Sequence, residues 1–186
     1  MAGRCVLVFG VSGVGKTSAC EAYVATHPDT LFISASGLLK AARNSSAETL
    51  RTAATGAIVD NQALLGPALA AFRAGREERD VLVDAHGVID NDHELVRVPS
   101  SAIAALKPHR LILLEASPET VAARRANSER RRPLRDLAAI NLEIAAERET
   151  VTAYAKALSI GLVIADAGPR FTLDALLDAT CPARSG

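Results

Sequence analysis

One octapeptide near the N-terminus constrains this chain more than any other feature. Gly10-Val11-Ser12-Gly13-Val14-Gly15-Lys16-Thr17 fits the pattern GxxxxGK[ST] at every position. An apolar run, Cys5 to Phe9, leads into it, and a helical pattern leads out from Lys16 to about Thr26, stopped by Pro28. A strand, a glycine-rich turn and a helix in that order wrap backbone around anionic oxygens. The glycines admit the backbone angles of the wrap, so that successive N–H groups and the helix N-terminus point at phosphate. Lys16 is expected to reach the β- and γ-phosphates and Thr17 to give its hydroxyl to Mg²⁺, with Val14 and Ser18 in the same cradle. These residues imply ATP or GTP binding with Mg²⁺. The dinucleotide fingerprint GxGxxG is absent, which removes the main alternative glycine-rich site.

The remaining pattern alternates short apolar runs with longer helical stretches. Strands are expected at Leu31 to Ser34, Val81 to Val83, Leu111 to Leu114 and Val163 to Ala165. Helical spacing covers Leu38 to Arg79, interrupted around Asn44 to Ser46 and at Gly66-Pro67, then Ser101 to Leu106 and Leu173 to Ala179. That alternation predicts a three-layer α/β/α fold around a five-stranded parallel sheet. With 186 residues and no Pro- or Ser-rich linker, residues 1–186 are expected to form a single domain.

The third strand delivers Asp84 to its C-terminal end, and ligands of open α/β sheets lie beyond those ends. Asp84 is therefore expected to hold Mg²⁺ directly or through a water, the alternative being a capping or loop Asp. His86, beside Gly87, could touch a phosphate or orient a water, or be an ordinary loop residue. The stretch Asp90-Asn91-Asp92-His93 reads as a solvated loop without metal-ligand spacing.

Six arginines, Arg124, Arg125, Arg130, Arg131, Arg132 and Arg135, fall within twelve residues. Guanidinium groups fork onto phosphate oxygens and stabilise charge developing during phosphoryl transfer. A lid over about 124–136 would exclude water and favour transfer over hydrolysis. Two or three of the six are expected to act on one site; the alternative is a solvated helix face or an RNA-contacting patch.

Composition bears on partners and compartment. Lys plus Arg and Asp plus Glu each number 21, and aromatic residues make up 3%, which argues against a nucleic-acid-coating chain or an anionic-membrane binder. Apolar runs are strand-sized, so no membrane span is expected. The phosphate loop occupies the place where a signal peptide would need its apolar core, which points to the cytoplasm. Cys5, Cys20 and Cys181 are odd in number and far apart, as for reduced thiols. Oligomeric state stays open.

Taken together, the phosphate loop, Val81-Leu82-Val83-Asp84-Ala85-His86, Leu111-Ile112-Leu113-Leu114-Glu115-Ala116-Ser117, Arg124 to Arg131, Arg148 and Tyr154 resemble the archaeal-type adenylate kinase family of P-loop nucleoside monophosphate kinases. The resemblance implies Mg²⁺-dependent transfer of the ATP γ-phosphoryl group to AMP or a related acceptor. It implies an acceptor pocket from Ser34 to Leu38 with Gly37 near the base, and Arg51 as partner of the acceptor phosphate. It further implies lid roles for Arg124, Arg130 and Arg131, Arg148 facing the transferred phosphoryl, and Asp166 to Gly168 beside the ATP base. Two alternatives stay open: a kinase of another small hydroxyl metabolite, and a P-loop ATPase acting as an assembly or switch factor.

Overall fold

In a computed structural model, residues 2–43, 46–52, 54–128, 135–168 and 170–177 are described. In chain order their elements are β1 (Cys5–Phe9), α1 (Lys16–Thr26), β2 (Leu31–Ser34), α2 (Ala35–Arg43), α3 (Ala47–Arg51), α4 (Thr55–Gln62) and α5 (Leu65–Arg73). There follow β3 (Val81–Asp84), β4 (Val88–Asp90), β5 (Leu95–Arg97), α6 (Ser100–Ala105), β6 (Arg110–Glu115), α7 (Pro118–Ala126), α8 (Leu137–Leu158), β7 (Leu162–Asp166) and α9 (Asp174–Leu177).

Five strands form one sheet in the order β2-β3-β1-β6-β7, and every pairing in it is parallel. The expected five-stranded parallel sheet is thus the fold. Buried parallel strands must be apolar on both faces, and β1, β3 and the middle of β6 are buried throughout. Successive side chains alternate between the faces. Leu7, Val83 and Leu113 enter a core covered by α2, α5 and α6, while Val8, Leu82 and Ile112 enter a second core beneath α1 and α7. Strand order reverses at β1, which opens a crevice at the C-terminal ends of β1 and its neighbours.

Helix α8 belongs to both cores. Ile140 and Ile144 in its first half pack in the second core, whereas Val151, Tyr154 and Leu158 pack in the first. Its middle therefore passes the end of the sheet rather than lying on one face of it.

Two local expectations change. The expected break near Gly66-Pro67 falls at the turn Ala63-Leu64 between α4 and α5, and the pair itself sits in the first turn of α5, where a proline removes no N–H that the helix needs. The Asp- and Asn-rich stretch after β3 is not a plain loop: β4 and β5 pair there as an antiparallel hairpin, Ile89 opposite Val96, with Asp92 at φ 79° in its turn. Asn and Asp tolerate that backbone region and bond their own chain, as Asn91 Oδ1 does in accepting from the N–H of His93 and Glu94.

Cys5 and Cys20 are buried free thiols; burial pushes Cys5 up to about 12 and raises Cys20 as well, leaving both inert. Cys181 lies outside the described residues. No described helix is long and apolar enough to cross a membrane.

Leu7 is fully buried in the central strand, so Leu7→Ala leaves a cavity that neighbouring strands cannot collapse to fill. Urea unfolding of this variant is expected to show a loss of about 2–5 kcal/mol. A loss below about 1 kcal/mol would contradict the placement of Leu7 in the core.

Candidate functional site

The turn after β1 adopts the wrap that its glycines permit. Gly10, Gly13 and Gly15 have φ of 142°, 88° and 106°, a region that residues with a Cβ rarely enter. A Cβ at Gly10 would lie 2.4 Å from the Leu114 carbonyl oxygen, so this position excludes side chains on two counts. Gly15 caps α1 without a side-chain bond, which leaves the first N–H groups of the helix for an anion.

Lys16 is only 5% exposed. Its Nζ donates to the carbonyls of Gly10 at 2.6 Å and Val11 at 3.3 Å, and lies 3.7 Å from Asp84 Oδ1. Thr17 Oγ1 donates to Asp84 Oδ2 at 2.6 Å. The end of β3 therefore brings Asp84 against the first turn of α1, as parallel pairing of β1 and β3 requires. A hydroxyl and a carboxylate in contact form a hard-oxygen pair that fits Mg²⁺. His86 stands on the same wall, where desolvation first and the Lys16 charge second drive its pKa down to about 3.

These groups head a cavity of about 930 Å³. One end is lined by Arg124, Ser128, Ala167, Gly168 and Phe171, the other by Phe32, Ile33, Ser34 and Ser36, with Gly13 to Ser18, Asp84 and His86 between. The structure thus gathers Gly13, Val14, Gly15, Lys16, Thr17, Ser18, Ser34, Asp84, His86, Arg124 and Gly168 around one space. Gly10 lies behind it. Gly37 supports Ser34, whose Oγ accepts its N–H at 3.0 Å as a cap of α2.

Other candidates sit elsewhere. Asp166 ends β7 but does not line the cavity. Arg51 donates to both oxygens of Asp92, at 2.6 and 3.1 Å, and to the Asp90 carbonyl. Arg148 forks onto Glu115 and is largely exposed. Neither lines the cavity. Arg130 and Arg131, with Arg132, fall outside the described residues.

The two arginines that open the cluster brace the phosphate loop. Arg124 donates to the carbonyls of Val14 (2.5 Å) and Ala167 (2.8 Å), joining the loop to the chain after β7. Arg125 Nε donates to the Ser12 carbonyl at 2.8 Å, while its Nη2 takes both oxygens of buried Glu143 at 2.8 Å. Sequence reasoning missed Glu143 and Glu147. Glu147, 1% exposed, accepts three backbone N–H groups around the loop. Charged residues at i and i+4 inside an Ala-rich helix look like solvated ones, and only their tertiary neighbours tell them apart.

Two measurements check this geometry. In Asp84→Asn the Thr17 contact survives but the charge is lost, so the Mg²⁺ concentration for half-maximal nucleotide binding is expected to rise tenfold or more; an unchanged Mg²⁺ titration of the folded variant would make Asp84 structural. For His86, the unfolded chain takes up a proton near pH 6.5 and the folded protein only near 3. Stability attributable to His86 is therefore complete above about pH 6.5 and falls as pH drops below it. Its ring proton shifts are expected to stay flat from pH 8 to 5, and a midpoint near 6.5 would contradict the site.

Comparison with known proteins agrees with this architecture. A family model described as an AAA domain matches residues 9–141. No curated protein matches the sequence. Among solved structures, shikimate kinase from Bacteroides thetaiotaomicron matches with a TM-score of 0.61 and 15% identity, over 94% of this chain and 98% of that one. An unliganded sugar kinase from Janibacter sp. matches with a TM-score of 0.53 and 17% identity, over 95% of this chain and 91% of that one. At such identities the two structures speak for the fold, and neither singles out the adenylate kinase branch. Because the family match runs from the end of β1 into α8 and takes in most of the sequence, the chain belongs to this AAA-domain family, with a P-loop kinase-like fold.

Proposed function

We propose that this protein is an ATP-dependent phosphotransferase acting on a small-molecule acceptor. The observation that carries the reading is a single cavity with Lys16, Thr17 and Asp84 at its middle and separate walls at either end. Its volume suits a nucleotide and a second small molecule together. The Gly168 and Phe171 end takes the ATP base, and the loop amides with Lys16 take the phosphates. Thr17 and Asp84 would hold Mg²⁺, which would supply charge stabilisation to the phosphoryl oxygens. The acceptor lies toward Ser34 and Ser36, so that its oxygen can approach the γ-phosphorus opposite the bond to ADP. A lid role for Arg130 and Arg131 over this path follows from the resemblance to archaeal-type adenylate kinases alone.

The acceptor admits two finer readings. AMP follows from the resemblance to archaeal-type adenylate kinases, and would require Arg51 to exchange Asp92 for the acceptor phosphate. A hydroxyl metabolite is favoured by the acceptor wall itself. Among the described residues it presents the Ser34 and Ser36 hydroxyls and the neutral ring of His86, while Arg51 is already held by a carboxylate. The likeness to shikimate and sugar kinases agrees with that second reading.

Purified protein with ATP and Mg²⁺, offered nucleoside monophosphates and small hydroxyl compounds in parallel, is expected to phosphorylate one class. Lys16→Ala is expected to fold normally and lose transfer by about 10²–10³-fold or more. Near-wild-type turnover in that variant would overturn the assignment. ATP hydrolysis that needs a partner protein and no acceptor would instead support a switch factor.

A further inference from the structure

Helix α8 carries two buried carboxylates one turn apart, Glu143 at 6% and Glu147 at 1% exposure. At i and i+4 they share a helix face. Glu143 reaches the phosphate loop through Arg125, which holds the Ser12 carbonyl. Glu147 reaches it directly. Its Oε1 accepts from Gly10 N–H at 3.0 Å and Gly87 N–H at 2.9 Å, and its Oε2 from Val88 N–H at 2.7 Å.

Those three amides belong to the two chain segments that carry the lining residues of the phosphate site. Gly10 begins the loop, and its carbonyl is the shortest acceptor of the Lys16 ammonium. Gly87 and Val88 follow Asp84 and His86 on the chain that leaves β3. One side chain thus fixes the distance between the segment that aims Lys16 and the segment that carries Asp84. All three partners are donors, so the carboxylate anion satisfies them and a carboxylic acid does not. Desolvation raises the Glu147 pKa against the pull of the Gly87 N–H, the Lys16 charge, the Val88 N–H and the Gly10 N–H. Burying a carboxylate is costly unless it is paired in this way. An apolar residue at this point of α8 would pack without that cost, but it would leave three backbone donors unsatisfied beside the loop.

We propose that Glu147 is a positioning residue for phosphoryl-group binding, holding the phosphate loop and the β3 exit in register from outside the cavity. This rests on the reading of the cavity as a nucleotide site.

Glu147→Gln tests it, because the amide keeps the shape but turns an NH₂ group toward at least one of the three backbone donors. MgATP dissociation constants, adenosine dissociation constants and melting temperatures are measured on the same preparations. MgATP affinity is expected to weaken tenfold or more while adenosine affinity stays within twofold, since the base end does not touch Glu147. The amide proton shifts of Gly10, Gly87 and Val88 are expected to move upfield as their charge-assisted bonds weaken. Gly87→Ala provides a second variant that keeps the charge. Its Cβ would meet Glu147 Oε2 at 3.3 Å and Val151 Cγ2 at 3.2 Å, displacing the carboxylate instead of removing it. It is expected to weaken MgATP about threefold to tenfold with the same adenosine result, and it serves alone if Glu147→Gln does not fold. Unchanged MgATP affinity in a folded variant, or equal loss of MgATP and adenosine, would overturn the positioning role and leave Glu147 a structural brace. A wild-type protein that binds no MgATP would overturn the nucleotide reading itself, and the positioning role with it.

Discussion

The placement of charge in the interior governs this structure. Lys16, Asp84, Glu143 and Glu147 are all buried, and an ion without partners in that medium would cost more than the fold's whole stability margin. Each is matched: Lys16 by two carbonyls and Asp84, Asp84 by Thr17, Glu143 by Arg125, and Glu147 by three backbone N–H groups. The pairings of Glu143 and Glu147 arise because α8 runs past the sheet end with its apolar residues in both cores. A helix confined to one face could not present its middle to the phosphate loop. The apolar packing of α8 and the polar geometry of the site are therefore one requirement.

The arginines divide by what holds them. In the described part of the cluster, Arg124 and Arg125 hold loop carbonyls and Arg135 forks onto Asp90. Five donors in a rigid fork let one guanidinium bind a carbonyl and a carboxylate at once, as Arg125 does, which a lysine ammonium would do with less directional control. Arg125 is thereby fixed in place, because shifting it would break an ion pair that is 11% exposed on one side and 8% on the other.

The parts legible in the sequence are those whose physics is local. Short unbroken apolar runs mark Cys5 to Phe9 and Val81 to Val83 as strands, and the structure begins and ends β1, α1 and β2 at the residues expected. The phosphate loop is legible because backbone angles above zero demand glycine at fixed spacing. The β4–β5 hairpin was not, since each of its strands is three residues long and its polar turn resembles any loop. Glu143 and Glu147 were not, because nothing in Leu137 to Leu158 distinguishes a buried glutamate from Glu149, which pairs with Arg97 at the surface. Arg51 and Arg148 carry charge suited to phosphate, yet which anion a guanidinium meets depends on long-range placement: Asp92 for one, Glu115 for the other.

That hairpin links the remaining pieces. Glu147 fixes Gly87 and Val88, and Val88 begins β4. The Val98 N–H returns to the Gly87 carbonyl, and Tyr154 of α8 donates to the Val98 carbonyl, so α8 holds the hairpin at both of its ends. At its tip Asp90 binds Arg135, while Asp92 binds Arg51 of α3. Burial opposes ionisation of Asp90, but the Arg135 hydrogen bonds, the Asp92 N–H and the charges of Arg135 and Arg51 together outweigh it, and Arg51 likewise holds the Asp92 carboxyl below its usual range. Both stay anionic at neutral pH. A small acidic hairpin thus joins α3 to Arg135, the residue that leads from the arginine cluster into α8. Since α8 also braces the phosphate loop, that loop, α3 and Arg135 are all referenced to one rigid helix. Misplacement by about 1 Å is enough to cost a reaction on the order of 10²-fold, so one shared rigid reference is consequential for the proposed transfer.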